Sequence, residues 1–216
     1  MTSFFARSGG SFTVRLVGLK RPTSWRDFWD ASYDGKRGLY VIGNTLGINF
    51  LFMTDKIYGK DYFDVDAGIA AIKKLNAKMV DFTGTMQKHL ESKEVSIAVL
   101  HDGDTYDLAK RGIPVDWVAP SEGVPILDQV IQVTRGSKNK DLAWRLIDMY
   151  LSPEVQTAFA SELFFSPTNK TVKLPPDVAK KLITGPADVD KLVTFDWNVI
   201  AKQRPQWTER WNKELR

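Results

Sequence analysis

Between residues 97 and 136, groups able to hold a small charged molecule crowd the ends of short apolar runs. Residues 97–100, 115–118 and 130–133 are largely apolar, rich in β-branched side chains, and bounded by Gly, Pro, Asp, Ser or Thr. They read as buried strands. His101, Asp102, Asp104 and Tyr106 follow the first run, and Glu122 and Asp128 lie around the second and third. In open α/β sheets, polar residues just past strand ends are where ligands are held. Carboxylates there can accept charge-assisted hydrogen bonds from a charged donor. An aromatic face under a cation adds ~0.5–2 kcal/mol. The plain alternatives are a strand-end histidine with no ligand role at His101 and a strand-capping aspartate at Asp128.

Two earlier runs end in the same way. Residues 39–42 read as a strand that stops at Gly43-Asn44-Thr45, where small polar residues leave backbone N–H groups open to a ligand or form a plain strand–helix turn. Residues 79–82 read as a strand ending in Thr83-Gly84-Thr85, with two hydroxyls to offer. Helical patterns lie between the strands, at 47–54, 64–75 (Asp64 as cap), 86–92 and 104–110, the last closed by Gly112. Further helices are expected at 140–151, 155–163, 178–183 and from Trp197 onward. Ser152-Pro153 stops one helix and starts the next. Trp25, Phe28 and Trp29 share a face of a short helix that Thr23 or Ser24 would cap. Trp25, Trp29, Trp117 and Trp144 are assigned to packing. Strand–helix alternation with short loops predicts an α/β fold with a largely parallel sheet.

Composition excludes several chemistries. The 216 residues hold no cysteine, so thiol catalysis and cysteine-based zinc sites are ruled out. The two histidines, His89 and His101, lie in different segments with no HExxH pair, so no metal site is expected. No P-loop or GxGxxG occurs, and no cofactor is expected. The net charge of +4 is spread among interleaved acids and bases, a weak footprint for nucleic acid. No apolar run approaches the roughly 20 residues of a membrane span, and the N-terminus lacks a signal-peptide pattern. An α/β hydrolase-type enzyme using His101 as acid–base beside Asp102 or Asp128 finds no nucleophile motif in support. No catalytic residue is assigned. A protein-interaction module with an exposed apolar surface is the other alternative.

Four segments carry a family resemblance. They are P-T-S-W-R-D-F-W-D…G-K-R-G-L at 22–39; G-I-P-V-D-W-V-A-P-S-E-G at 112–123; D-Q-V-I-Q-V-T-R-G-S-K-N-K-D-L-A-W-R-L-I-D-M-Y-L-S-P-E-V-Q at 128–156; and S-P-T-N-K at 166–170. In this order they resemble the substrate-binding proteins of bacterial ABC importers, in the spermidine/putrescine-type branch. The resemblance implies two α/β lobes joined by crossing strands and closing on a solute. It implies a small amine-bearing solute, an ABC transporter permease as partner, and a periplasmic location. It places ligand contacts in three loops: Gly43-Asn44-Thr45, residues 101–106 with His101, Asp102 and Tyr106, and Ile126-Leu127-Asp128; Thr83 and Thr85, at another strand end, could add hydroxyls. Polyamine binders of the family carry tryptophans at or near the positions of His101 and Leu127, so a smaller or partly anionic ligand, such as an amino acid, is also admitted.

Family members run well past 300 residues, and the match begins near Pro22, where the second lobe starts. The expected layout is an irregular segment at 1–21, within which 12–19 could form a strand after the loop-like 7–10, a ligand-binding lobe of 22–127 plus 171–216, and a crossover segment 128–170 belonging to a largely missing lobe. A strand without its sheet and an apolar helix face without cover predict self-association through 128–170.

Overall fold

The first residues of the chain overturn one expectation. In the computed structural model, which describes residues 2–16, 18, 21–183 and 189–215, the stretch before residue 12, read as irregular, joins the start of the 12–19 run in a 14-residue strand, β1 (Thr2–Arg15). The Ser8-Gly9-Gly10-Ser11 stretch has turn-like composition, yet pairing with other strands holds it extended. Local preference yields to sheet context. The chain divides into two compact units, Met1–Gly9 with Ile126–Leu192, and Gly10–Pro125 with Val193–Arg216. Their boundaries differ from those read in the sequence: β1 is divided at residue 9, and 171–192 goes with 126–170.

In the larger unit, β2 (Arg37–Tyr40) lies between β3 (Lys78–Val80) and β4 (Ile97–His101), parallel to both. Residues 10–15 of β1 run antiparallel between β4 and β5 (Val115–Val118), with Phe12 opposite Val99 on one side and Val118 on the other. The sheet is therefore mixed: strand–helix alternation gives the parallel part, and β1 supplies the antiparallel pairings. A helix follows each parallel strand. Helix α1 (Thr45–Tyr58) follows β2, and α2 (Val65–Lys73) packs on it. Helix α3 (Thr83–Glu91) follows β3, and α4 (Asp102–Lys110) follows β4.

Alternation along β1 separates two environments. Phe12 and Val14 enter an aromatic core: the Phe12 ring lies 4.5 Å from Trp25 and 5.3 Å from Phe28, and Phe28 lies 4.9 Å from Phe50. Trp25 and Phe28 belong to a 3-10 helix, Trp25–Trp29. Ser24 caps it, in a capping box with Asp27. The Glu122 carboxylate accepts from the Ser24 hydroxyl, the Trp25 backbone N–H and the Ser121 hydroxyl. Burial opposes ionisation of Glu122, but these donors outweigh it and hold the carboxyl below its usual range. The other face of β1 is polar and buried: Thr13 hydrogen bonds Thr105 of α4, and Arg15 donates to the Leu90 carbonyl of α3.

In the smaller unit, residues 2–9 of β1 pair antiparallel with β6 (Val124–Gln132), from Thr2 opposite Gln132 to Gly9 opposite Ile126. β7 (Ser166–Pro167) pairs with Ala6 and Arg7. Helix α5 (Lys140–Tyr150) is followed by α6 (Pro153–Leu163), started by Ser152 and Pro153 as read from the sequence. Gln156 is buried and binds the Thr168 and Asn169 backbone N–H groups, fixing the S-P-T-N-K loop. The helix expected at 178–183 is instead the single turn α7 (Pro176–Ala179). Among the described residues of this unit, the buried apolar side chains are Ile147, Ala160, Phe164 and Leu182, whereas Leu142, Leu146 and Met149 stay exposed on α5.

The last helix, α8 (Trp197–Leu215), belongs to the larger unit. Phe52 of α1 packs against Phe195 at 5.0 Å and Trp207 at 5.4 Å.

One buried group opposes the fold. Asp55 of α1 is fully buried, and neither carboxyl oxygen has a hydrogen-bond partner of normal geometry. It lies against Gly68 of α2, where an added Cβ would sit 1.8 Å from Oδ1. Asp64, expected to cap α2 with its side chain, instead accepts from the Lys60 N–H at 3.0 Å. Burial, and then the negative charge of Asp64, push the Asp55 carboxyl up to about 8. The unfolded chain releases this proton near pH ~4. Between those limits the folded state holds more protons, so stability falls as pH rises. Urea denaturation at pH 5 and pH 8 is expected to show lower stability at pH 8, and Asp55→Asn is expected to narrow that difference.

Candidate functional site

Parallel pairing sets the carboxyl ends of β3, β2 and β4 along one edge of the larger unit, in the register Tyr40 opposite Val80 and Gly38 opposite Ala98. Three helices start there. Asn44 is the N-cap of α1: its Oδ1 accepts from Leu46 N–H at 2.9 Å, and its Nδ2 donates to the Asp81 carbonyl at 3.2 Å. The side chain expected to meet a ligand thus ties two loops together. Its backbone N–H, expected to be open, donates to Val41 O at 2.9 Å. From α8, Arg204 donates to the Gly43 carbonyl at 2.8 Å and fixes the same turn. Thr45 is half-buried in the first turn of α1.

At the start of α3, Thr83 is half-buried and Thr85 exposed. Thr83 lies beside the hydroxyl of Tyr40, the last residue of β2. That hydroxyl is fully buried and has no hydrogen-bond partner of normal geometry. Burial, and the nearby Asp104 carboxyl, push the phenol well above its usual range. Phe82, just before α3, is 75% exposed and presents an aromatic face at this edge.

The start of α4 supplies the densest group. His101 is the N-cap residue, with its Nδ1 buried and unpartnered. Burial pulls its pKa down to about 4, so the ring is neutral at ordinary pH. A ring of that pKa, with nothing orienting Nδ1, is poorly suited to general acid–base work near pH 7. Asp102 is buried and accepts from the Gly103 N–H at 2.8 Å. Asp104 is half-buried and accepts from Gln87 Nε2 of α3 at 3.3 Å. Burial, then the charge of Asp107, raise its carboxyl to about 6. Tyr106 is raised to about 12 by burial and by Asp102 and Asp116, with Arg21 opposing.

The structure thus brings Thr83 to the strand-end edge with His101 and Asp102. Asn44 and Thr45 lie at the same edge, with Asn44 in a capping role. Thr85 lies on the exposed side of α3. Asp128 belongs to the smaller unit, exposed on β6. Glu122, noted as a polar residue near a strand end, serves the 3-10 helix. Tyr40 and Gln87 were missed from sequence. Tyr40 lies inside the apolar run 39–42, four residues before Asn44, and Gln87 lies four residues after Thr83 on the same helix face, the only signals that pointed to them. Among the described residues, no group of three or more His, Asp or Glu side chains is placed to hold a metal ion. No helix among them is long and apolar enough to cross a membrane.

Comparison with known proteins places this geometry. The sequence pattern of the bacterial extracellular solute-binding protein family matches residues 6–184. The chain belongs to this family. A gamma-aminobutyric acid-binding protein of Pseudomonas aeruginosa is 24% identical over 205 residues, covering 89% of this chain and 57% of that protein. The spermidine/putrescine-binding periplasmic protein of Escherichia coli K12 is 24% identical over 188 residues, covering 84% of this chain and 53% of that one. A crystal structure of an ABC transporter from Clostridium perfringens aligns with a TM-score of 0.82 at 27% identity, over 99% of this chain and 69% of its own. The chain therefore spans about half the length of the curated relatives it matches.

The neutral state of His101, with its Nδ1 buried, is directly observable. Its imidazole resonances in a proton–nitrogen NMR titration are expected to stay constant from pH 8 to pH 5. A midpoint near 6.5 would contradict the site described.

Proposed function

We propose that this chain is the solute-binding component of an ABC import system for polyamines or related amine- and amino-acid-like solutes, working in the periplasm with a membrane permease. The observation that carries this reading is the strand-end edge itself. The buried Tyr40 hydroxyl, with Thr83 beside it, and the buried, unpartnered Nδ1 of His101 stand there with the carboxyls of Asp102 and Asp104 in a member of a solute-binding family. Carboxylates with aromatic neighbours suit a cationic or zwitterionic amine. The names of the Pseudomonas and Escherichia relatives, which bind gamma-aminobutyrate and polyamines, point the same way. Binding, rather than turnover, agrees with a neutral His101 that lacks an orienting partner. Asn44, Thr45, Thr83, Thr85, His101, Asp102, Tyr106 and Asp128 are the proposed contact residues, with Asn44 holding its loop in shape. Residues 22–127 with 171–216 are proposed as the ligand-binding lobe and 128–170 as a crossover segment, the unit boundaries above refining where each begins.

A second copy of the chain is the proposed cover for α5. Leu142 is 68% exposed, Leu146 45% and Met149 49% on one helix face, and the smaller unit buries few apolar side chains of its own among those described. Such a face is costly to leave in water. A β-strand and two helices from one copy meeting those of another would cover it by symmetric or exchanged contact.

Each proposal has its own test. In a thermal-shift panel of polyamines, amino acids and opines, at least one amine is expected to raise the melting temperature with the logarithm of its concentration; no response to any amine would contradict the solute reading. By light scattering at moderate concentration the chain is expected to exceed one-chain mass, and Leu142→Glu with Leu146→Glu to reduce it to one chain. A single-chain mass for the parent would count against self-association.

A further inference from the structure

The smaller unit holds a cavity of its own. Its volume is about 450 Å³, and every described residue lining it lies between 167 and 189, within that unit. That size suits a small molecule. One wall is apolar, made by Val172, Leu174, Ala179, Ile183 and Val189. Val189 is exposed and the other four are half-buried, so these side chains still meet water. The opposite wall is the loop 167–170, and hydrogen bonds fix it. The buried Gln156 of α6 accepts from the Thr168 and Asn169 N–H groups at 3.0 and 2.9 Å. Asn169 donates to the Leu151 carbonyl at 2.7 Å and accepts from the Thr171 N–H at 2.9 Å. The apolar wall is tied to the start of the same loop, where the Ile183 N–H donates to the buried Ser166 hydroxyl at 2.9 Å. Walls held in this way need little ordering when a ligand enters.

We propose that this cavity binds a small aliphatic carboxylate, its chain against Val172, Leu174 and Ile183 and its charged end at Lys170. The proposal goes beyond the solute-binding reading and does not rest on it. Lys170 is the single charged residue among the described residues that line the cavity. No carboxylate pairs with it among the described residues. An exposed lysine is ordinary by itself, but this one stands at the rim of an apolar wall in a basic stretch. Residues 167–183 carry Lys170, Lys173, Lys180 and Lys181 against one acid, Asp177. The Lys181 ammonium lies 5.4 Å from the centre of the Phe164 ring. This field attracts an anion and repels an amine. The side chains of Thr168 and Asn169 are engaged within the loop, which leaves Lys170 to read the polar end of a ligand through a charge-assisted pair. The chain matters as well: each methylene that leaves water against the apolar wall adds roughly fourfold in affinity. The charge preference is opposite to that of the edge carrying Asp102 and Asp104, and the two sites share no residue. In sequence Lys170 reads as the polar end of a loop, because only the fold sets it beside residues 172–189.

The test titrates the whole chain with sodium octanoate at pH 7.5, followed by calorimetry and backbone proton–nitrogen NMR. Saturable shifts are expected at amides of residues 168–183. Octanoate is expected to bind at least tenfold more tightly than butyrate, which lacks the chain length, and than octylamine, which reverses the charge. Lys170→Gln is expected to weaken octanoate at least fivefold, and Lys170→Arg to bind it within twofold of the parent. No saturable binding of octanoate would overturn the proposal, and so would a Lys170→Gln variant that binds it within twofold. Shifts confined to residues 41–45, 82–87 and 101–106, or to the exposed face of α5, would overturn it too, by placing the carboxylate elsewhere. Equal affinity for octanoate and octylamine would do the same whatever the variants show. The two readings fail separately: octanoate bound here by a chain that binds no amine supports this site and counts against the solute-binding reading alone.

Discussion

The antiparallel seating of residues 10–15 between β4 and β5 is the constraint on which the larger unit depends. Left out, β4 would end the parallel sheet as an exposed edge and β5 would have no neighbour on that side. Seated, the strand places Phe12 and Val14 in the aromatic core and Thr13 against Thr105 of α4. The second contact matters for chemistry. Thr105 sits one residue past Asp104, and its hydroxyl also donates to the His101 carbonyl at 3.0 Å. A hydroxyl pair thus joins the central strand to the helix end that carries His101, Asp102 and Asp104.

The rest of the edge is held by contacts that look ordinary one at a time. Asn44 links the loops after β2 and β3, Arg204 of α8 clamps the turn after β2, and Gln87 links α3 to α4. The aromatic packing of Phe52 on Phe195 and Trp207 fixes α8 on α1, which places Arg204. The polar groups at the edge are therefore positioned by hydrogen bonds and packing from five elements before any ligand arrives, the condition under which a binding wall loses little entropy on association.

Much of this was legible in the sequence, for reasons that can be named. The runs 97–100 and 115–118 are continuous, β-branched and bounded by turn residues, and both became strands. Strand–helix alternation gave the α/β class, and the four resembling segments pointed to the solute-binding family that residues 6–184 match. What failed was local. Residues 2–11 carry the Ser-Gly-Gly-Ser composition of a loop, and only pairing with distant partners makes them a strand. The small polar turn at Asn44 suggests an open backbone N–H, whereas that N–H donates to Val41 O and the side-chain oxygen caps α1. Tyr40 was missed because a tyrosine inside a buried run is indistinguishable in sequence from ordinary core. The burial of its hydroxyl beside Thr83 is visible only in three dimensions.

The central claim is that a small amine is held at the strand-end edge of the larger unit. Backbone proton–nitrogen NMR during titration with putrescine or gamma-aminobutyrate tests it most directly. The account predicts concentration-dependent shifts that include the amides of residues 41–45, 82–87 and 101–106. Saturable shifts confined to residues 126–192, with those three loops unmoved, would contradict it.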